Sequence, residues 1–424
     1  MKQTSLQGIA NKAANDKTYR FRNLFGLLTA GFLFLCWDYI NRKASPGVDR
    51  IDARAYEENL VGNIQQLAQQ VKEKTYRAKL VLRKWIPKAG GKLRPLGIPS
   101  IADKLLQRAV AKILETIYEQ EFLPCSYGYR PRTGAHNAIK ALTGELNSRK
   151  YHLVVEADIK GYFNAINHDL LLEMLKKRID DQPFLNLIRK WLKAGILEAD
   201  GQVVHPVTGS PQGGIVSPIL ANVYLHYVLD VWFEETVRTH CKGHIYLCRY
   251  ADDFVCAFEK SEDAERFYKA LGQRLTRYGL ELAEDKTQLM EFSVWRPRAK
   301  TKFDFLGFEF QWGMTWSRKP ILKRRTSRNK LRAAIANLKV WFKKHCGLPK
   351  KILFRKLNRK LIGYYNYYGV TGNWRSLSSF EYQLRNLLYK WLNRRSQRKS
   401  YNQAGFAELV KHFGIAKPRI LHAI

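Results

Sequence analysis

The chain has 424 residues, 46% of them hydrophobic, and a formal net charge of +36. It is long enough for two or three cooperating domains with a real core, and a charge of that size drives a protein toward polyanions by counterion release. The six cysteines form no CxxC pair, which argues against a zinc knuckle or a disulfide framework and fits a reducing, cytoplasmic setting.

In chain order, the first residues lack the apolar core of a signal peptide. The apolar run from Leu24 to Trp37 is too short to span a bilayer and reads as a buried amphipathic helix. Residues 1 to about 75 are expected to be helical, with a turn at Ser45-Pro46-Gly47. A hairpin follows: VLRKWIP, a turn at Ala89-Gly90-Gly91, then KLRPLGIP. The spacing predicts a long amphipathic helix from Ile101 to Phe122, a buried strand over HLVVEADI and helix from His168 to Leu197. IYLCRY and FVCAF read as two short strands flanking Ala251-Asp252-Asp253. The last hundred residues are mostly helical by periodicity. From Gln311 onward there are 27 Lys/Arg against 2 Asp/Glu, so this quarter holds most of the charge excess. The expected class is α+β: a mixed sheet with helices and a helical basic appendix.

The sharpest local signal is Arg249-Tyr250-Ala251-Asp252-Asp253-Phe254. Two adjacent acids between apolar strands are costly to bury without partners, and a hairpin mouth where cations bind relieves that cost. A polar turn is the plain alternative. Asp158, at the end of another apolar strand, favours the first reading: if the strands are neighbours, three carboxylates converge, a donor set suited to magnesium.

Several motifs occur together in order: ADIKGYF (Ala157 to Phe163), SPQGGIVSPILAN (Ser210 to Asn222), RYADDF, EDKT (Glu284 to Thr287) and FDFLGFEF (Phe303 to Phe310). Upstream lie IPKAGGKLRPLGIPSIADKLLQ and YGYRPRTGAHNAI; downstream, FRKLNRKLIGYYNYYG and YKWLNRRSQRKSY. Over nearly its whole length the chain resembles group II intron-encoded reverse transcriptase/maturases. The resemblance implies a right-hand polymerase: an N-terminal helical extension and the start of the fingers over 1–75, fingers and palm over 76–310, and a thumb or maturase domain over 311–424. It implies RNA-directed DNA synthesis with two magnesium ions on Asp158, Asp252 and Asp253, on an RNA template with a DNA primer or target and dNTPs. Lys88 and Arg94 would reach the triphosphate, Gln212 the sugar and template pair, and Lys286 the pyrophosphate. Phe163 would crowd the 2′ carbon of the incoming sugar and reject ribonucleotides. The family usually has aspartate where Asn164 stands, and often an acid at Asn167; this departure puts full catalytic vigour in question. No HNH-like cluster follows the tail, so the form without an endonuclease domain is expected.

The basic tail combines cations with aromatics. Lys323, Arg324, Arg325, Arg394, Arg395, Arg398 and Lys399 are the expected contacts to intron RNA, while Trp391, Leu392 and part of the tyrosine run 364–368 pack inside. The function this supports is a polymerase that also assists splicing and retrohoming. A splicing-only maturase with an idle polymerase site, and a reverse transcriptase recruited to phage defence or CRISPR adaptation, stay open as alternatives.

Overall fold

The computed structural model describes residues 5–87, 93–198, 200–209, 213–295, 301–394 and 400–424; Lys88, Gln212, Arg395, Arg398 and Lys399 lie outside these. The chain divides into two compact units. The first comprises Met1–Gly134, Ala157–Cys256 and Glu262–Gln288; the second comprises Ala135–Glu156, Ala257–Ser261 and Leu289–Ile424.

The first unit opens on short capped helices. Ser5 accepts from the amide of Gly8 to start Leu6–Asn15, and Thr29 accepts from Phe32 to start Ala30–Trp37. The apolar run 24–37 is therefore broken: a 3-10 turn, Phe25–Leu27, precedes the helix. That helix buries Leu33, Cys36 and Trp37 but leaves Leu35 exposed. Helices Ala53–Glu57 and Leu60–Lys72 follow. Strands Val81–Pro87 and Leu93–Ile98 pair antiparallel from Leu82↔Ile98 to Pro87↔Leu93, as the hairpin pattern predicts. Val81 also pairs parallel with Ile196, giving a four-stranded sheet in the order Leu93–Ile98, Val81–Pro87, Ile196–Leu197, Val203–Val204.

Helix Ile101–Tyr118 is capped by Ser100 and buries Leu105, Leu106, Ala109, Val110, Ile113, Leu114 and Ile117. That set is too wide for a single stripe, and it makes this helix a central support rather than a surface one. The region read as helix from His168 to Leu197 is two helices, His168–Lys176 and Gln182–Leu192, ending in a short strand. Asp181 interrupts it by accepting from the amide of Phe184, with Pro183 in the first turn of the second helix. A second four-stranded sheet has the order Ile245–Tyr250, Asp253–Phe258, Leu153–Asp158, Gln288–Glu291.

In the second unit, strands Lys302–Phe305, Phe308–Met314 and Pro320–Thr326 form an antiparallel sheet in sequence order. Residue 311 therefore falls inside a strand, and Lys323, Arg324 and Arg325 are strand residues rather than part of a helical appendix. Helices Arg328–His345, Lys350–Tyr368, Trp374–Leu392 and Gln403–Phe413 enclose a core that includes Phe342, Leu357, Leu361, Leu384, Leu388 and Leu392. The tyrosine run packs rather than projecting. Tyr365 is buried, Tyr364 stacks on Phe380 at 3.8 Å between centroids, and Tyr367 donates to the carbonyl of Leu306. Among the described residues no helix is long and apolar enough to cross a membrane.

Candidate active site

Strand Leu153–Asp158 buries Val154, Val155 and Ala157 and ends on Asp158, which emerges at the strand end half-buried. Strands Ile245–Tyr250 and Asp253–Phe258 are joined by the two-residue turn Ala251-Asp252. Ala251 takes a left-handed φ of 58°, unusual for a residue with a Cβ. Burial raises the pKa of the Asp252 carboxyl, and the negative charge of Asp158 adds to the rise; Arg94 and Lys286 oppose it. Residues far apart in sequence thus share one electrostatic site.

Lys286 reaches that site through local turns. Ile159 bridges Leu282, the amide of Ala283 donates to the carbonyl of Asp158 at 2.9 Å, and the amides of Lys286 and Thr287 both donate to the carbonyl of Ala283. This folds EDKT back so that the Lys286 ammonium donates to the Asp158 carboxylate. The contact raises the lysine pKa, chiefly through that hydrogen bond.

Asp253 is placed differently. It starts the second strand, half-buried, and its charge joins burial in raising the thiol pKa of Cys248. Among the described residues no three His, Cys, Asp or Glu side chains are gathered into a metal-binding group. The pair Asp158 and Asp252 nevertheless suits a divalent cation: two hard oxygen donors, with the Asp252 charge disfavoured by burial and by Asp158 and eased by Arg94 and Lys286.

Phe163 lies on the one-turn helix Tyr162–Ala165, which follows Gly161 at φ 56°. It is 8% exposed and packs edge-on against the Tyr129 ring at 6.2 Å. Burial, with the charge of Asp252 next, raises the Tyr129 hydroxyl pKa, while Arg94 lowers it. Tyr129 therefore connects Phe163 to the acid site. Sequence alone does not single it out; its one local signal is a tyrosine beside glycine in YGYRP.

Asn164 is exposed, and its carbonyl accepts from the Thr208 hydroxyl at 3.0 Å. Asn167 caps helix His168–Lys176 by accepting from Asp169 and Leu170, a role an aspartate fills equally well. Gln212 itself is outside the described residues, but its neighbour Gly213 has φ 118° and lies so close to Gly97 that a Cβ would sit 2.3 Å from that carbonyl oxygen. Only glycine fits there.

The profile of the family "Reverse transcriptase (RNA-dependent DNA polymerase)" matches residues 86–310, and "Group II intron, maturase-specific domain" matches 331–407. The chain belongs to the group II intron reverse transcriptase/maturase family. It carries an RNA-dependent DNA polymerase domain, and polymerases of this family generally use divalent metals. This reverse transcriptase/maturase is 33% identical to protein YkfC of Escherichia coli over 279 residues, 58% of this chain and 73% of that one. It is 30% identical to the group II intron-encoded protein LtrA of Lactococcus lactis over 405 residues, 75% of this chain and 65% of LtrA. Nuclear intron maturase 3 of Arabidopsis thaliana is 25% identical over 235 residues, about half of this chain and 32% of its own.

The maturase side shows where the sequence reading of RNA contacts needs correction. In strand Pro320–Thr326 side chains alternate between faces, so Leu322, Arg324 and Thr326 point inward. Arg324 is 6% exposed and donates to the carbonyls of Thr371 and Ile424, which makes it a structural cation rather than an RNA-facing one. Lys323 and Arg325 lie on the more open face. Arg394, just past helix Trp374–Leu392, is exposed and sits over the Trp391 ring at 5.4 Å.

Proposed function

We propose that this chain synthesises DNA on an RNA template and also binds intron RNA to assist splicing and retrohoming. The observation that carries the polymerase reading is the approach of Asp158, at a strand end, to Asp252, in the turn between two strands, with Lys286 bonded to Asp158 and Arg94 easing the charge of Asp252. We assign Asp158, Asp252 and Asp253 to two magnesium ions; when bound, these supply Lewis-acid activation of a primer 3′-hydroxyl and charge stabilisation of leaving pyrophosphate. The protein's own part is positioning and electrostatics. Arg94 and Lys88 neutralise the triphosphate, and Lys286 exchanges Asp158 for the pyrophosphate. Phe163, braced by Tyr129, fills the space a 2′-hydroxyl would need. Gln212 orients sugar and template.

In the same reading, residues 1–75 are an N-terminal extension with the start of the fingers, 76–310 fingers and palm, and 311–424 thumb and maturase domain. Lys323, Arg325 and Arg394, with Arg395, Arg398 and Lys399, are the intron-RNA contacts. LtrA, by its name, is a group II intron-encoded protein, and this supports intron RNA as the partner here. The test is primer extension on an RNA template with magnesium, alongside intron-RNA affinity, for wild type and Asp252→Asn. Templated extension lost only in the variant supports the assignment; a wild-type preparation that binds intron RNA but extends no primer points to a splicing-only maturase.

A further inference from the structure

Beneath the Ala251-Asp252 turn lies an ion pair that no solvent reaches. Arg249 and Asp230 are both fully buried, and they meet in a two-pronged contact: Nε donates to Oδ1 at 2.7 Å and Nη2 to Oδ2 at 2.6 Å. The remaining donors are also used. Nη2 donates to Ser126 Oγ at 2.7 Å, and Nη1 donates to Asn222 Oδ1 at 3.2 Å and to the carbonyl of Ala251 at 2.9 Å. These contacts use all five N–H groups a guanidinium has. Four of them end on three side chains, two on Asp230 and one each on Ser126 and Asn222. The fifth ends on the backbone of the turn.

That fifth bond is the informative one. The Ala251 carbonyl belongs to the peptide that leads into Asp252, so fixing its direction fixes where Asp252 begins. Ala251 holds a left-handed φ, a conformation that costs energy for a residue with a Cβ and persists only when its surroundings impose it. The surroundings do so from two sides. Arg249 holds the carbonyl, while Gly128 packs against the Tyr250–Ala251 peptide, so close that a Cβ there would sit 2.3 Å from the Ala251 amide nitrogen. The two sides are themselves joined: Asn222, which accepts from Arg249, donates to the Gly128 carbonyl at 2.6 Å. The backbone of Arg249 is anchored too, its amide donating to Cys125 and its carbonyl accepting from Tyr127.

Asp230 owes its position to an irregular helix. Ser217–Leu225 continues into a π-helical turn, His226–Asp230, and such turns redirect side chains. A buried charge pair is poor evidence for stability, because desolvation offsets most of the attraction. Its retention here is better explained by what it orients.

We infer that Arg249, Asp230 and Asn222 form a positioning clamp that, with Gly128, sets the Ala251-Asp252 peptide so that the Asp252 carboxylate meets Asp158 at metal-binding geometry. None of these residues touches substrate. The inference rests on the reading of Asp252 as a metal ligand.

The test uses full-length protein. Arg249→Met combined with Asp230→Leu replaces the ion pair by apolar volume, an exchange that buried pairs often tolerate in stability. Gly128→Ala keeps both partners of the ion pair and pushes on the Tyr250–Ala251 peptide that enters the turn. Primer extension is measured across magnesium concentrations, with melting curves and intron-RNA affinity on the same samples and Asp252→Asn as control. Extension should fall by about a hundredfold, as for a misplaced reacting group. The magnesium needed for half-maximal rate should rise about tenfold, as when a partner that orients a ligand is removed. RNA affinity should hold. A purely structural role would move the melting curve and leave the magnesium requirement alone. The inference is overturned by either variant extending primers with the wild-type magnesium dependence. Should the double variant not fold, Gly128→Ala decides. If Asp252→Asn extends normally, the reading of Asp252 as a ligand is what fails.

Discussion

The ammonium of Lys286 is bonded to the carboxylate of Asp158, 128 residues away in sequence. The lysine is about half exposed while the aspartate is largely covered, so the cation reaches in from solvent to a strand-end acid. Its charge stands where a metal's charge is expected, and the two should compete. Lys286→Met is therefore expected to lower the magnesium needed for half-maximal extension. It should also reduce the maximal rate by about a hundredfold, the scale of a missing proton donor. A magnesium titration of primer extension reads both. If neither changes, the contact is incidental to catalysis.

Asp252→Asn should stop DNA synthesis and leave intron-RNA binding intact. The amide keeps the shape but removes an anionic ligand oxygen. Because burial and Asp158 raise the Asp252 pKa in the folded protein, its charged form at neutral pH opposes folding. The variant should accordingly melt at or above the wild-type temperature. Loss of extension together with a lower melting temperature would mean that the carboxylate is a structural group.

Phe163→Ala should relax discrimination against ribonucleotides, since removing a ring removes a clash. It has a second cost. The ring is nearly buried against Tyr129 and Tyr162, so truncation should also destabilise the fold by about 3 kcal/mol or more. The ratio of rNTP to dNTP incorporation separates the two effects. Lower stability with an unchanged ratio would mark Phe163 as core alone.

The three cations of Lys323-Arg324-Arg325 should behave differently from one another. Lys323→Gln and Arg325→Gln should each flatten the dependence of log affinity on log salt, by about 0.7–0.9 for each phosphate no longer neutralised. Arg324→Met should leave that slope alone and lower the melting temperature, because its guanidinium serves the buried carbonyls of Thr371 and Ile424. Equal slopes for all three variants would remove this strand from the RNA surface.

Burial pushes the pKa of His226 down to about 4. Unfolded, the same imidazole titrates near 6.5, so between those values the unfolded chain binds the extra proton. Its contribution is complete above about pH 6.5 and is lost as pH falls toward 4, up to about 3 kcal/mol in all. Chemical denaturation at pH 7.5 and pH 5 should show this fall, and His226→Phe should reduce it. An unchanged pH dependence in the variant would assign the fall to other groups.

Much of this protein was written in local pattern. Alternation and turn residues marked the hairpin 81–98, and short apolar runs marked the strand that ends on Asp158 and the two strands that flank Ala251-Asp252. The motif order was enough to place the chain in its family. These features depend on neighbours in sequence, and that is why sequence reading finds them. What remained hidden depends on packing between distant segments. The inward turn of Arg324 follows from which face of its strand meets the core, and charge alone says nothing about that. Tyr129 gains its place beside Phe163 and Asp252 only when three separated segments converge. Asp230 looks in sequence like a stray acid in an apolar helix, and Arg249 like one more cation among 73 Lys/Arg. Only the π turn at 226–230 and the burial of both partners bring them together under the Ala251-Asp252 turn, because a charge in an apolar interior must find an opposite charge, and tertiary structure decides which one.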